Sequence, residues 1–263
     1  MVTTVKQNLY TVKMATYKAE MVKKADKTKP RTRRDASMPA PVRTLRKRNS
    51  PSGAGGVKDA PYHHGALRDA LLEAAERVLE REGLPGLTLR AVAREAGVSH
   101  AAPTHHFGDL SGLFSELAAI GFQQFNAAMA VAGTADGSPM DKAVARAKAY
   151  VGYAQAHPGM YGLMFRTERL DMSRPSLQAA AGASFAELAG AVAASRHEQI
   201  FEQALSLDQA AAIVRAWCLV HGFTMLLLDG RLADILRRLP QGNNVESLLD
   251  AMLKSPIGRP PGA

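Results

Sequence analysis

The stretch Thr88–Phe107, TLRAVAREAGVSHAAPTHHF, constrains the fold more than any other part of the chain, because it reads as two short helices broken by a tight turn. In the first, Leu89, Val92, Ala93 and Ala96 recur at helical spacing and form one apolar face, while Arg90, Arg94 and Glu95 point elsewhere. Gly97 ends that helix, since glycine enters the left-handed backbone region without steric cost. Val98 can then drop back into the core, and Ser99 can cap a second helix beginning at His100. Pro103 lies within or just past the first turn of this second helix, where a missing N–H costs little, so the helix is short.

The second helix is small or polar where a DNA reader needs it to be. Ala101 and Ala102 let the backbone approach closely, and His100, Thr104 and His105 can reach phosphates or base edges beside a helix N-terminus that favours anions. This is a helix-turn-helix layout, although the spacing also fits an ordinary helical hairpin inside a globular domain. Thr88-Leu89-Arg90, Ala93-Arg94-Glu95-Ala96-Gly97-Val98-Ser99 and His106-Phe107 resemble the DNA-binding domain of the TetR family of bacterial transcriptional regulators. The resemblance covers residues 65–125 well and the rest more loosely. It implies an all-α chain with an N-terminal three-helix helix-turn-helix domain followed by a larger helical ligand-binding and dimerisation domain. It also implies DNA contacts at Thr88, Arg90, Ser99, His100, Ala101, Ala102, Thr104 and His105. Two positions depart from the family's pattern. Thr104 stands where a Tyr is usual and Leu110 where a Lys is usual, and both usual residues touch phosphate.

With 263 residues, 46% of them hydrophobic, the chain can bury a sizeable core and suits one small and one larger domain. A single Cys excludes an internal disulfide. Together with the lack of an apolar N-terminal signal segment, this fits a reducing cytoplasm. The longest apolar run, Ala216–Leu228, contains His221 and is too short to cross a bilayer, so it reads as a buried helix with no membrane partner.

The net charge of +9 is localised: residues 1–60 hold 15 Lys/Arg against 4 Asp/Glu, a net of +11, which leaves −2 for the rest. Between Pro61 and Leu110, five Arg face seven acids. Positive charge near DNA therefore comes from the N-terminal segment, from Arg90 and Arg94, and from helix dipoles. Residues 1–57 lack hydrophobic periodicity and read as disordered in isolation. They are either an arm adding phosphate or minor-groove contacts, or an artefact of an assigned start that truly lies later, for instance at Met38.

From Pro61 onward the pattern is helix after helix, with a helix-turn-helix domain over 58–108, a second domain over 109–256 and a flexible C-terminus over 257–263. A first helix over Ala66–Glu82 carries Leu67, Leu71, Ala74, Ala75, Val78 and Leu79 on one stripe and is stopped by Gly83, Pro85 and Gly86. Asp109 opens a long helix to about Ala132 that links the domains. Ser138-Pro139-Met140-Asp141 is a capping-box-like start for a helix ending near His157-Pro158-Gly159, and a short helix through Met160–Phe165 follows. Further helices run over Arg174–Arg196, over Asp208–Leu228 behind the Ser206 cap, and from Asn244 to Lys254. No strand or repeat signal is present.

In the second domain, His157-Pro158-Gly159-Met160-Tyr161 with Met164-Phe165, and Trp217 followed by His221-Gly222, resemble the ligand-binding domain of a TetR subgroup labelled by a Trp, His, Gly signature. Trp217, His221, Thr224 and Met225 share a helical face. Such a stripe is either plain core or the wall of a mostly apolar small-molecule pocket formed by Tyr153, Met160, Met164, Phe165, Phe185, Trp217, His221 and Met225, with His221 as a polar anchor. A homodimer through the helices around Asp208–Leu228 and Val245–Leu253 is expected from apolar faces too extensive for one core. Cys218 and His221 find no third or fourth ligand at a metal-binding spacing. Cys218 therefore reads as a small buried hydrophobe, and no metal or other cofactor is expected. No catalytic arrangement stands out, so the expected partners are an operator duplex and a small-molecule effector. The rival reading is a helical small-molecule-binding or catalytic protein that has lost operator binding, which Thr104 and Leu110 favour.

Overall fold

The computed structural model describes residues 64–201 and 204–254. The basic segment 1–57 and the C-terminus 257–263 lie outside the described residues. Within them the chain forms ten α-helices and one 3-10 turn, and no strand. Helix α1 (His64–Gly86) buries Leu71, Ala74, Ala75, Val78 and Leu79 on one stripe, and Gly83, at φ 67°, interrupts its helical path where the sequence places the stop. Then come α2 (Leu89–Glu95), α3 (Ala102–Phe107) and α4 (Leu110–Gly133). The N-cap of α4 is Asp109, whose carboxylate accepts the Gly112 N–H at 2.8 Å.

Helix α5 (Pro139–Ala156) starts in the expected capping box. The Ser138 hydroxyl accepts from Asp141 N, the Asp141 carboxylate accepts from Ser138 N, and Pro139 occupies the first helical position. The His157-Pro158 junction stops α5 and starts α6 (Pro158–Met164). A 3-10 turn (Thr167–Arg169) leads to α7 (Pro175–Arg196). A second capping box, Ser206 with Gln209, opens α8 (Leu207–Leu228). Gly230, at φ 71°, ends α8 and lets the five-residue α9 (Ala233–Arg237) fold back, a helix the sequence pattern did not reveal. The last, α10 (Val245–Lys254), is capped by Asn244, whose side-chain oxygen accepts the Ser247 N–H at 3.0 Å.

One apolar core runs without interruption from Leu71 and Val78 on α1, through Phe107 and the inner face of α4, to Met160 and Leu163 on α6 and Leu177 and Ala180 on α7. The start of α4 at Asp109 is therefore not a gap in the packing. Two smaller clusters hold α8. One pairs Phe223 with Ala147, Val151, Leu232 and Leu249, and the other pairs Ala212 and Ile213 with Ala189 and Val192.

Two sequence expectations for α8 fail. The apolar run is not a buried helix: Ala212, Ile213, Phe223 and Thr224 are buried, whereas Leu207, Val214, Trp217, Met225 and Leu226 are exposed. Cys218 is likewise exposed rather than buried. The reason is geometric. A helix apolar around much of its circumference needs neighbours on every side, and within the protomer the packing from α5, α6, α7 and α10 leaves part of α8 uncovered. Both α7 and α8, at 22 residues each, are also long and apolar enough to cross a membrane by length and composition, so the shorter run within α8 understated that helix.

Candidate DNA interface and effector site

The turn between α2 and α3 is closed by local chemistry. Thr88 caps α2, its Oγ1 accepting the Ala91 N–H at 3.1 Å. At the other end Gly97, at φ 67°, donates to the Arg94 carbonyl and Val98 donates to the Ala93 carbonyl, the paired bonds of a Schellman stop. Val98 packs against the core, as its spacing implied. Ser99 behaves differently from expectation. It is exposed, α3 begins at Ala102 rather than His100, and no side chain caps it. Instead the Ser99 backbone carbonyl accepts the Ala102 N–H, so a turn over residues 99–102 precedes the helix and the hydroxyl stays outside it. Pro103 sits in the first turn and, with Phe107, forms the buried side of α3.

The opposite side is presented outward. Thr88, Arg90, Ser99, His100, Ala101, Thr104 and His105 are all exposed and Ala102 is half-buried, so the expected DNA-contacting residues lie outside the core. Leu110, where a phosphate-contacting Lys is usual, is half-buried against the core and does not extend this surface. Helix α2 is fastened to α1 by Glu95, whose carboxylate accepts Arg77 Nε at 3.1 Å and Arg81 Nη2 at 2.9 Å. Those two guanidiniums, Arg77 foremost, hold the Glu95 carboxyl below its ordinary pKa.

The expected effector-site residues divide among four places. Phe165, Trp217 and His221 come together, with ring centroids 4.7 Å apart for Phe165–His221 and 6.1 Å for Trp217–His221. Tyr153 instead faces α4, donating to the Gly121 carbonyl at 3.1 Å, and Met160 and Met164 close over Gly121, where an added Cβ would lie under 3 Å from their side-chain atoms. Phe185 belongs to the separate cluster between α7 and α8, and Met225 is exposed. A cleft of about 350 Å³ lies away from His221, between Glu76, Leu79 and Glu80 of α1 and the His157–Met160 bend.

Tyr150, which the sequence reading did not place in the site, and Tyr161, which it held only within the resemblance over residues 157–165, complete the arrangement. Tyr150 and Tyr161 put their hydroxyls 2.9 Å and 2.7 Å from His221 Nδ1 and 3.2 Å from each other. The Pro158 bend folds α6 back so that Tyr161 returns beside Tyr150, a juxtaposition that spacing along one helix does not show. Burial pushes the Tyr150 phenol up to about 12 and raises Tyr161 still further, so both remain proton donors across the physiological range. Burial lowers the His221 pKa, which favours the neutral imidazole. The result is a neutral hydrogen-bonding knot with aromatic walls, suited to orienting a polar group on an otherwise apolar molecule.

That knot has a pH signature. Because the folded-state pKa of His221 lies below its unfolded value, the unfolded chain binds more protons as pH falls below about 6.5, so the folded state loses stability through that window. The melting temperature should therefore fall on acidification from about pH 7.5 to about 5.5, and His221→Gln should make the fall shallower. Equal slopes in parent and variant would assign the loss to other groups.

The family model described as bacterial regulatory proteins, tetR family, matches residues 71–117, and the one described as tetracyclin repressor-like, C-terminal domain, matches residues 143–254. The HTH-type transcriptional regulator BetI of Burkholderia cenocepacia is 44% identical over 46 residues, which is 18% of this chain and 24% of that protein. A solved structure of a Rhodococcus sp. RHA1 protein of unknown function is 33% identical, with a TM-score of 0.58 over 74% of this chain and 95% of that one. The transcriptional regulator FadR from Bacillus subtilis, solved in complex with stearoyl-CoA, shares the fold with a TM-score of 0.51 at 15% identity, over 70% of this chain and 95% of that one. With both family models matched in sequence order on an all-helical fold, the chain belongs to the TetR family of bacterial regulatory proteins.

Proposed function

We propose that this protein is a homodimeric, cytoplasmic DNA-binding regulator, a repressor that leaves a pseudo-palindromic operator when a small molecule binds its C-terminal domain. It is a transcription factor and not an enzyme. The observation that carries the reading is the exposed surface of Ser99, His100, Ala101, Thr104 and His105, held outward while Pro103 and Phe107 anchor the other side of α3. The effector is an apolar or amphipathic molecule with one polar group, which Tyr150, Tyr161 and His221 orient while Phe165 and Trp217 supply the apolar wall. That FadR is crystallised with stearoyl-CoA supports a ligand-holding role for this helical fold. Trp217, His221 and Gly222 support reading the chain as one of the subgroup labelled by a Trp, His, Gly signature.

Two recognition helices related by a two-fold axis read half-sites about one helical turn apart, or a multiple of it. Selection from a random duplex pool by the full-length protein should therefore enrich an inverted repeat. Thr104→Ala with His105→Ala, both exposed and outside the core, should then weaken binding to the enriched duplex by about tenfold or more while thermal unfolding stays unchanged. If the parent enriches no sequence, or the double variant binds as the parent does, the interface assignment is wrong.

A further inference from the structure

A cluster of charged side chains at the junction of the two domains takes no part in the DNA surface or the aromatic knot. Arg174, the N-cap residue of α7, donates from Nη2 to the Phe107 carbonyl at 2.7 Å and from Nη1 to Glu116 Oε1 at 3.2 Å. The other Glu116 oxygen accepts Arg68 Nη2 at 2.6 Å and the Ser176 hydroxyl at 3.0 Å. Arg68 in turn lies over the Phe107 ring, 5.8 Å from its centroid. Glu116 is largely buried, its side chain 13% exposed, and Arg174 is 27% exposed. The junction is tight: a Cβ at Gly112 would stand 2.1 Å from the Phe107 carbonyl oxygen and 2.3 Å from Arg174 Nη2.

The Phe107 carbonyl is the last of α3. Gly108, at φ 84°, ends the helix there, so this oxygen has no partner in a following turn. Arg174 supplies one, and places a cation at a helix C-terminus, where the helix dipole favours it. A helix of six residues does not hold its own direction, so the pose of α3 rests on its anchors: Pro103, Phe107 and this guanidinium. Arginine suits the task because the two ends of one planar fork reach the Glu116 carboxylate and the carbonyl separately, whereas lysine offers one compact point charge. At its far end α7 packs Phe185, Leu188 and Val192 against Ala212 and Ile213 of α8, the helix that bears Trp217 and His221.

We propose that Arg174 is a positioning residue for DNA recognition: it sets the pose of α3 from the effector domain, and operator selectivity depends on it without its touching DNA. This rests on the reading of α2 and α3 as the DNA interface. The test uses full-length Arg174→Gln and Arg174→Lys, with Ser176→Ala as a control that removes a Glu116 partner but leaves the Phe107 carbonyl bonded. Amide hydrogen exchange over residues 102–109 is compared with the middle of α4. Dissociation constants are measured for the duplex enriched by the parent and for its scrambled counterpart.

Arg174→Gln should speed exchange over 102–109 but not over 117–125. It should weaken the enriched duplex by about tenfold and the scrambled duplex by less than about twofold. Arg174→Lys, which keeps a charge beside Glu116 and decides the matter if the Gln variant does not fold, should lose part of the selectivity. Ser176→Ala should match the parent. Unchanged exchange over 102–109 overturns the proposal. So does an equal loss on both duplexes, the mark of a direct phosphate contact, and so does full retention of selectivity by Arg174→Lys. Failure of the underlying DNA reading would show in the parent itself, as no enriched duplex, and would take the proposal with it.

Discussion

Phe107→Ala is expected to lower the unfolding free energy of the full-length protein by about 3–5 kcal/mol. The side chain is 1% exposed and lies in the continuous core formed by α1, α4, α6 and α7, so its removal leaves a cavity that the flanking helices cannot close. Because that core has no break at Asp109, the loss should appear in a single cooperative transition in denaturant, with the midpoint lowered and the slope unchanged, rather than as early melting of the first three helices. Operator binding should fall with it, since α3 loses its largest anchor. A shift under about 1 kcal/mol, or a separate early phase, would mean that the helix-turn-helix packs independently of the rest.

The second large effect belongs to α8. Leu207, Ala211, Val214 and Cys218 are exposed in the protomer and recur at the four-and-three spacing of a helix-pairing seam, with exposed Met225 seven residues further on. An apolar strip of that length, left uncovered on a folded chain, fits the dimer proposed above. Val214→Asp places a carboxylate in the seam of each copy and should raise the dimer dissociation constant by roughly 100-fold or more, read by sedimentation. The substituted side chain is 52% exposed in the protomer, so the helical content of the separated chain should persist. Operator affinity should drop steeply, because a monomer engages one half-site at a time. A variant that still sediments as a dimer with unchanged affinity would put the interface elsewhere, for instance on α10.

How much of this was legible in the sequence follows from the range of the interactions involved. The starts of α4, α5, α8 and α10 were readable because Asp109, Ser138, Ser206 and Asn244 each bond to a backbone N–H three residues on. The glycine stops at 83 and 97 were readable because a positive φ favours one residue type. Ser99 shows the limit of such local reasoning. The same residue type that caps elsewhere is bypassed here, because its own carbonyl takes the Ala102 N–H and the helix starts later.

What joins distant parts of the chain was settled only by how the helices dock. The Phe107 carbonyl and Arg174 are 67 residues apart, and Tyr150 and His221 are 71 apart. Nothing within a few residues of any of the four marks it as a partner for the other. The sequence likewise marked α8 as the most apolar helix, but not which side of it would stay uncovered. By itself, then, the sequence determined the longer helices, the caps at Asp109, Ser138, Ser206 and Asn244 and the Gly97 turn, since those depend on bonds three or four residues long. The tertiary structure decided the aromatic knot, the Arg174 junction and the exposed seam of α8. Each of these depends on which helix faces meet, and that is a property of the whole core rather than of any one segment.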